Sequence, residues 1–245
     1  VRILTIDTSA IASAALLDFD PQDPVKTAEL VANFATVDTR SQAEELAPGV
    51  KSLFTDPVGE GPALDAIIVG TGPGPFTGLR SGIAMARTLS FTWGVPLHGM
   101  MSLDALAQQV FDTPKKDSAG RALGPLAMGD FVIATDARRK EVYWAKYSAG
   151  AHLLDGPHVG PAADIFGVPV FGAGAGLYEE VLVGNRCTVH APLAHAQPTA
   201  LELGRAAIRK ITAAGSLEGA GLLDSTPLYL RESDAKVPGP RKRAL

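Results

Sequence analysis

Residues 3–6 run apolar into Asp7, a short polar turn follows, and Ala12 to Leu17 is apolar again. The same order recurs far downstream: Phe131–Ala134 is apolar, Asp136 ends the run, a polar turn follows, and Val142 to Tyr147 resumes. Each segment predicts a β-hairpin with a carboxylate at its turn. A third strand follows each hairpin, at Glu29–Val37 and at Leu153–Val159, and helical stretches come after it. A repeated strand–strand–strand–helix order predicts an α/β protein with two related domains.

Helical periodicity fills in the rest. Ala43, Leu46, Ala47, Val50, Leu53 and Phe54 share one helix face within 40–54, with Pro48 predicting a kink or a restart. Ala66–Val69 reads as a fully apolar strand and Phe76–Trp93 as a helix. Val95–His98 then reads as a strand, followed by a helix that Ser102 can cap. This alternation points to a largely parallel sheet covered on both faces. Further on, Pro169–Phe171 and Cys187–His190 read as strands, with helices over 176–183 and 199–214. The stretch 112–129 is rich in Gly, Pro, Lys and Ser and reads as a linker. The expected division is a first domain at 1–111, the linker 112–129, a second domain at 130–214, and a tail at 215–245 that could pack back on the first.

Composition narrows the classes. The chain has 245 residues, 46% hydrophobic and 20% charged, enough for a substantial core. A net charge of -4 argues against strong, direct binding of nucleic acid. The single cysteine, Cys187, excludes an internal disulfide, suits a reducing cytosol and reads as a small buried hydrophobe. The first residues read as a strand rather than a leader, and no apolar run reaches the ~20 residues of a membrane span. The expected protein is cytoplasmic and makes no use of a membrane.

Candidate chemistry is sparse. The string Gly70-Thr71-Gly72-Pro73-Gly74-Pro75-Phe76 follows a strand and opens a helix, where phosphates often bind. It lacks the Gly-Lys-Ser/Thr of a phosphate loop, and Pro73 and Pro75 remove two backbone donors, so a tight structural turn is an equal reading. Gly78, Gly82 and Ala86 recur every four residues, a face for close backbone approach. That face suits either another subunit or the chain's own sheet. Asp7, with Thr8 and Ser9, and Asp136 mark the two hairpin turns. Those turns lack glycine, and Arg138 and Arg139 crowd the second, so each carboxylate reads as capping its own turn. No histidine pair has ligand spacing on a helix, and no metal is expected. Tyr143, Trp144 and Tyr147 share a strand and read as core rather than as a base-stacking platform.

The string Gly72–Arg80 closely resembles the GPGSFTGLR signature of the TsaB (YeaZ) family, with Pro75 in place of its serine. Asp136–Tyr143 and Leu228–Arg231 resemble two further signatures of that family. Gln42 stands where relatives often have histidine, and 112–129 is longer than usual. The resemblance implies two ribonuclease-H-like domains of the actin/hexokinase/heat-shock ATPase (ASKHA) class. It implies a non-catalytic subunit of the complex that forms threonylcarbamoyladenosine in tRNA, with no catalytic residue and no cofactor of its own. Its partners would be TsaD, which carries the chemistry, and TsaE, with a homodimer when alone. tRNA would be met only through the complex, and a nucleotide could sit at the junction with TsaD. The implied interface is Thr77, Gly78, Arg80, Ser81, Gly82, Met85 and Ala86, and the implied vestigial nucleotide cleft is Asp7, Thr8, Ser9 and Asp136. In that setting the basic end Arg241–Arg243 reads as a solvated tail. The rival readings are an ATP-dependent phosphotransferase of the sugar-kinase kind and a glycoprotease. The first needs a working phosphate grip in both domains. The second needs a metal pair or nucleophile that the sequence does not offer.

Overall fold

The computed structural model describes residues 1–23, 28–37, 42–116, 122–125 and 129–231. The basic end Arg241–Arg243 and part of the 112–129 stretch lie outside the described residues.

In the first half, the strands are β1 (Arg2–Asp7), β2 (Ser13–Asp18), β3 (Glu29–Ala35), β4 (Ala66–Gly70) and β5 (Leu97–Met100). The helices are α1 (Gln42–Lys51), α2 (Pro57–Glu60), α3 (Phe76–Trp93) and α4 (Leu103–Asp112). A short ribbon, β6 (Pro114–Lys116) with β7 (Ala122–Pro125), links the halves. The second half holds β8 (Phe131–Asp136), β9 (Val142–Tyr147), β10 (Leu153–Gly160), β11 (Pro169–Phe171) and β12 (Thr188–Val189). Its helices are α5 (Ala173–Leu177), α6 (Glu179–Gly184) and α7 (Ala200–Ala214).

Among the described residues, two five-stranded sheets share one plan. Their strand orders are β3-β2-β1-β4-β5 and β10-β9-β8-β11-β12. The first three strands of each are antiparallel neighbours and the last two join in parallel. The repeat in the sequence is therefore a repeat of topology, and Asp7 and Asp136 end corresponding strands.

The central strands explain the layering. Side chains alternate across a strand, so β1 and β4 feed two cores. Leu4, Ile6, Ile67 and Val69 pack with α1 and α3, while Ile3, Ala66 and Ile68 pack with α7. In the second sheet Phe131 and Ile133 pack with α4, and Val132 and Ala134 face Val170, Ala175 and Leu182. Packing thus interleaves along the chain. Helix α4 comes from the first half yet packs on the second sheet, and α7 comes from the second half yet covers the first. The two helices also pack on one another and form the layer between the sheets.

Specific polar contacts fix this exchange. The Thr5 hydroxyl donates to Ala200 O at 2.7 Å, and the Ala200 N–H donates to Ser13 Oγ at 2.9 Å, so the start of α7 is tied to the first hairpin. Thr199 caps α7 through the Glu202 N–H. Arg209 of α7 donates to Gln108 of α4 and to the carbonyls of Gly150 and Ala151 beyond β9. Burial pulls its guanidinium down from its ordinary value, against the opposing influence of Asp104 and Asp112. Tyr147 is fully buried and donates to Asp104 Oδ1 at 2.8 Å. Its phenol is pushed well above 10, first by burial and then by that carboxylate.

Some elements depart from the sequence reading. Helix α1 does not restart at Pro48 but runs through it, with Leu46 and Val50 on either side buried in the first core. Strand β5 is shifted to Leu97–Met100, set by the parallel register of Ile67 with Leu97. The single helix expected over 176–183 is two, broken where Tyr178 leaves helical geometry. Cys187 is buried, and Tyr147 is core, as expected.

Candidate functional site

The first hairpin turn is sealed. Asp7 has no solvent exposure, and its Oδ1 accepts from the Ser9 N–H at 2.9 Å and the Ser9 hydroxyl at 2.7 Å. The other oxygen, Oδ2, has no hydrogen-bond partner. The Ser102 hydroxyl beside it accepts from the Gly72 N–H at 3.1 Å, and its own proton is free to turn toward the carboxylate. Burial pushes the Asp7 carboxyl above its ordinary 3.8, against the pull of Ser102 and Ser9. The neighbouring Thr8 hydroxyl donates to Gly78 O at 2.7 Å, which ties the turn to the first turn of α3.

The glycine–proline loop is the seal. Any side chain at Gly70 would collide with Asp7 Oδ2, and a Cβ at Gly74 would stand 2.6 Å from Ser9 O. The glycines are there so that the loop can lie directly on the turn. Of the two readings of this string, the geometry is that of tight packing: the Ser9 N–H that could meet a phosphate is engaged by Asp7.

The second turn is open and held differently. Asp136 is half-buried, and its Oδ1 accepts from the Arg138 N–H at 2.7 Å while Oδ2 pairs with the Arg138 guanidinium at 3.2 Å. Arg138, Arg139 and Lys140 all adopt positive φ, at 59°, 55° and 64°. Backbone bonds from Ala137 N to Glu141 O and from Glu141 N to Arg138 O close the turn, both at 3.0 Å. Asp136 thus caps its own turn.

Helix α3 divides the residues implied as an interface between an inner and an outer face. Gly78, Gly82 and Ala86 are buried, and a Cβ at Gly82 would collide with Thr8 Oγ1. This small-residue stripe lets the chain's own first hairpin approach α3. Met85 is half-buried and packs toward the first core. Thr77 and Arg80 are exposed and Ser81 half-exposed. The outward face carries Thr77, Ser81, Ala84, Thr88 and Phe91, and Phe91 is 91% exposed. Their spacing of four, three, four and three is that of a helix–helix seam. The sequence does carry that spacing, but a stripe of Thr, Ser, Ala and Thr is not apolar enough to stand out. Among the described residues, no group of three His, Cys, Asp or Glu side chains is placed to hold a metal, and no helix is long and apolar enough to cross a membrane.

Comparison with known proteins places this geometry. The family model described as TsaD, tRNA N6-adenosine threonylcarbamoyltransferase, matches residues 29–211. A protein of Mycobacterium tuberculosis named as uncharacterized is 33% identical over 240 residues, covering 93% of this chain and 97% of that one. The tRNA threonylcarbamoyladenosine biosynthesis protein TsaB of Escherichia coli is 32% identical over 147 residues, or 60% of this chain and 55% of that protein. The solved structure of YeaZ from Pseudomonas aeruginosa superposes with a TM-score of 0.64 at 25% identity, covering 94% of this chain and all of that one. The chain belongs to the TsaB (YeaZ) family.

The three strings that resemble the TsaB signatures meet in space. The Leu228 N–H donates to Thr71 O at 2.8 Å, next to the glycine–proline loop. The Tyr229 ring lies 4.3 Å from that of Phe76, and its hydroxyl accepts from Arg80 Nε at 3.0 Å. Arg231 donates to Ala137 O at 2.9 Å and forms an ion pair with Glu141. Its guanidinium also lies 5.9 Å from the Tyr143 ring centroid. The signatures of this TsaB-family chain therefore describe one contiguous surface that spans both sheets.

Proposed function

We propose that this chain is the non-catalytic subunit of a complex that forms N6-threonylcarbamoyladenosine in tRNA, and that it docks a TsaD-type catalytic paralogue on the outward face of α3. Kinship supports the pathway: named TsaB relatives belong to the biosynthesis of this nucleoside. The observation that carries the docking role is the exposed seam Thr77, Ser81, Ala84, Thr88 and Phe91 on a helix whose opposite face is locked to its own sheet. Small side chains let a partner helix approach closely, and Phe91 supplies an apolar anchor at the end of the seam. In this reading the fold is a pair of ribonuclease-H-like lobes of the ASKHA class. The chain acts in the cytoplasm, carries no cofactor of its own, meets tRNA only through the complex, and uses the same seam to pair with itself when TsaD is absent. TsaE joins the assembled pair, and a nucleotide, where one binds, lies at the junction.

The sealed first turn disfavours a phosphotransferase of the same fold. A phosphate needs free N–H donors. Here the Ser9 donor is held by Asp7, and the loop lies over the turn.

The test is co-purification of the full chain with its TsaD-type partner, followed by nucleoside analysis of tRNA. Ala84→Arg and Phe91→Ala are expected to weaken capture at least tenfold and to lower the modified nucleoside, while thermal unfolding shifts by less than about 0.5 kcal/mol, as is usual for exposed sites. Full capture by both variants would move the interface elsewhere. Turnover of ATP by the chain alone would restore the phosphotransferase reading.

A further inference from the structure

Between α7 and Arg231 the chain has little regular structure, yet residues 222–231 are anchored along their length. Leu223 exchanges two backbone hydrogen bonds with Gly99 on β5, at 2.7 and 2.8 Å. Ser225 accepts from Arg87 through both its hydroxyl, at 3.0 Å, and its carbonyl, at 2.9 Å. Tyr229 is held by Arg80 and by Phe76. Leu228 is bonded to Thr71 and packs beside the core that α4 shares with the second sheet. Arg231 ends the run on the second hairpin turn, at Ala137 and Glu141. Residues 222–231 thus leave the edge of the first sheet, pass along one flank of α3, cross the glycine–proline loop and reach the other lobe. Arg80 and Arg87 lie one helical flank away from the seam Thr77, Ala84, Thr88 and Phe91.

We propose that residues 222–231 are a strap that couples the docking helix α3 to the hairpin turn of the second lobe. Two guanidiniums of α3 grip one end, and one guanidinium of the strap grips the turn 137–141 at the other. Loosening either end is expected to free the other, because Tyr229, held by Arg80, stands only two residues from Arg231, which holds the turn. Such coupling is reciprocal by linkage. Its use, to report occupation of α3 to the second lobe, rests on the docking reading. The coupling itself does not.

The experiment is therefore done on the full chain alone, by amide hydrogen exchange. In an Arg80→Ala, Arg87→Ala double variant, the Leu223 and Leu228 amides are expected to exchange at least tenfold faster. The Ala137 and Glu141 amides, in the other lobe, are expected to exchange at least threefold faster. Arg231→Ala should speed Ala137 and Glu141 and, in return, Leu228. Amides of β1 and β8 serve as the reference for global opening. If they accelerate in step, Ser225→Ala and Tyr229→Phe, which each remove one strap contact, are read in the same way. Unchanged Ala137 and Glu141 exchange on release of the α3 end overturns the proposal, whatever the docking assay gives. Full capture of the partner by the Ala84→Arg and Phe91→Ala chains, with the coupling intact, would overturn the seam and leave the strap.

Discussion

Asp7 and Asp136 end corresponding strands of two sheets with the same strand order, but Asp7 has no contact with solvent and Asp136 is half-buried beside three consecutive cations. The first lobe covers its turn with the loop 70–76 and the first turn of α3. The second leaves its turn at the surface and holds it with Arg138 and, from the far end of the chain, Arg231. A carboxylate can be kept in place either by excluding water or by opposing charge. The first route raises its affinity for a proton, as at Asp7, and makes every neighbouring atom a packing constraint. The second tolerates change, because solvent can compensate a lost partner. The first lobe is therefore expected to be far less forgiving of substitution near its turn than the second.

Gly82→Arg probes that contrast most severely. A Cβ at this position already collides with Thr8 Oγ1, and an arginine would force a long charged side chain against the buried first hairpin. Overpacking together with a buried charge is expected to cost more than about 3 kcal/mol. Denaturant unfolding should show a collapsed midpoint or no folded protein. A folded, stable variant would mean that α3 can lift from the first hairpin, and the sealed turn would no longer distinguish the lobes.

The Gly82 case also shows how far the sequence could be read. The four-residue spacing of Gly78, Gly82 and Ala86 states that some backbone comes close, and it does. It cannot state whose backbone, because a one-dimensional pattern does not carry the fold that brings Thr8 to α3. The helix itself was legible from end to end, since Pro75 opens it and Gly94 closes it in the left-handed conformation at φ 70°. The hairpins, the buried central strands and the duplicated order were legible from short apolar runs, two of them ending in Asp before a polar turn. The exchange of α4 and α7 was not, because each helix has an ordinary amphipathic pattern that fits either sheet. The strap was not legible either: residues 222–231 form no helix and only an isolated bridge at Leu223, so no periodicity marks them. Only the string Leu228–Arg231 hinted at a role there.

A gentler probe is Asp7→Asn, read against pH. The folded Asp7 holds its proton more tightly than an unfolded aspartate does, so between the unfolded value near 3.8 and the raised folded value the folded state binds more protons. Its stabilising contribution is complete below the unfolded value and is lost as pH rises through the folded one. An asparagine does not ionise and lacks that loss. The stability of the variant relative to the parent is therefore expected to climb as pH rises from about 4, on a scale of about 1–3 kcal/mol set by one unpartnered buried oxygen. Urea titrations across pH 4–8 measure it. Parallel profiles for the two proteins would show that Asp7 is as well solvated as Asp136.

The smallest expected effect comes from the open turn. Lys140 is exposed and left-handed at φ 64°, a conformation that strains any residue bearing a Cβ. Lys140→Gly removes that strain and adds backbone freedom to the unfolded chain, two effects of opposite sign. The strain is the larger, so a gain of about 0.5–1 kcal/mol is expected, seen as a small rise in Tm. In the first turn, Ala10→Gly has no left-handed strain to relieve, so only the entropic loss remains and stability should fall by about 0.5–1 kcal/mol. Opposite signs at the two turns would confirm that the second carries backbone strain in the native state and the first does not. Equal signs would mean that the run of three cations at 138–140 is held without strain, and the contrast between the turns would reduce to burial alone.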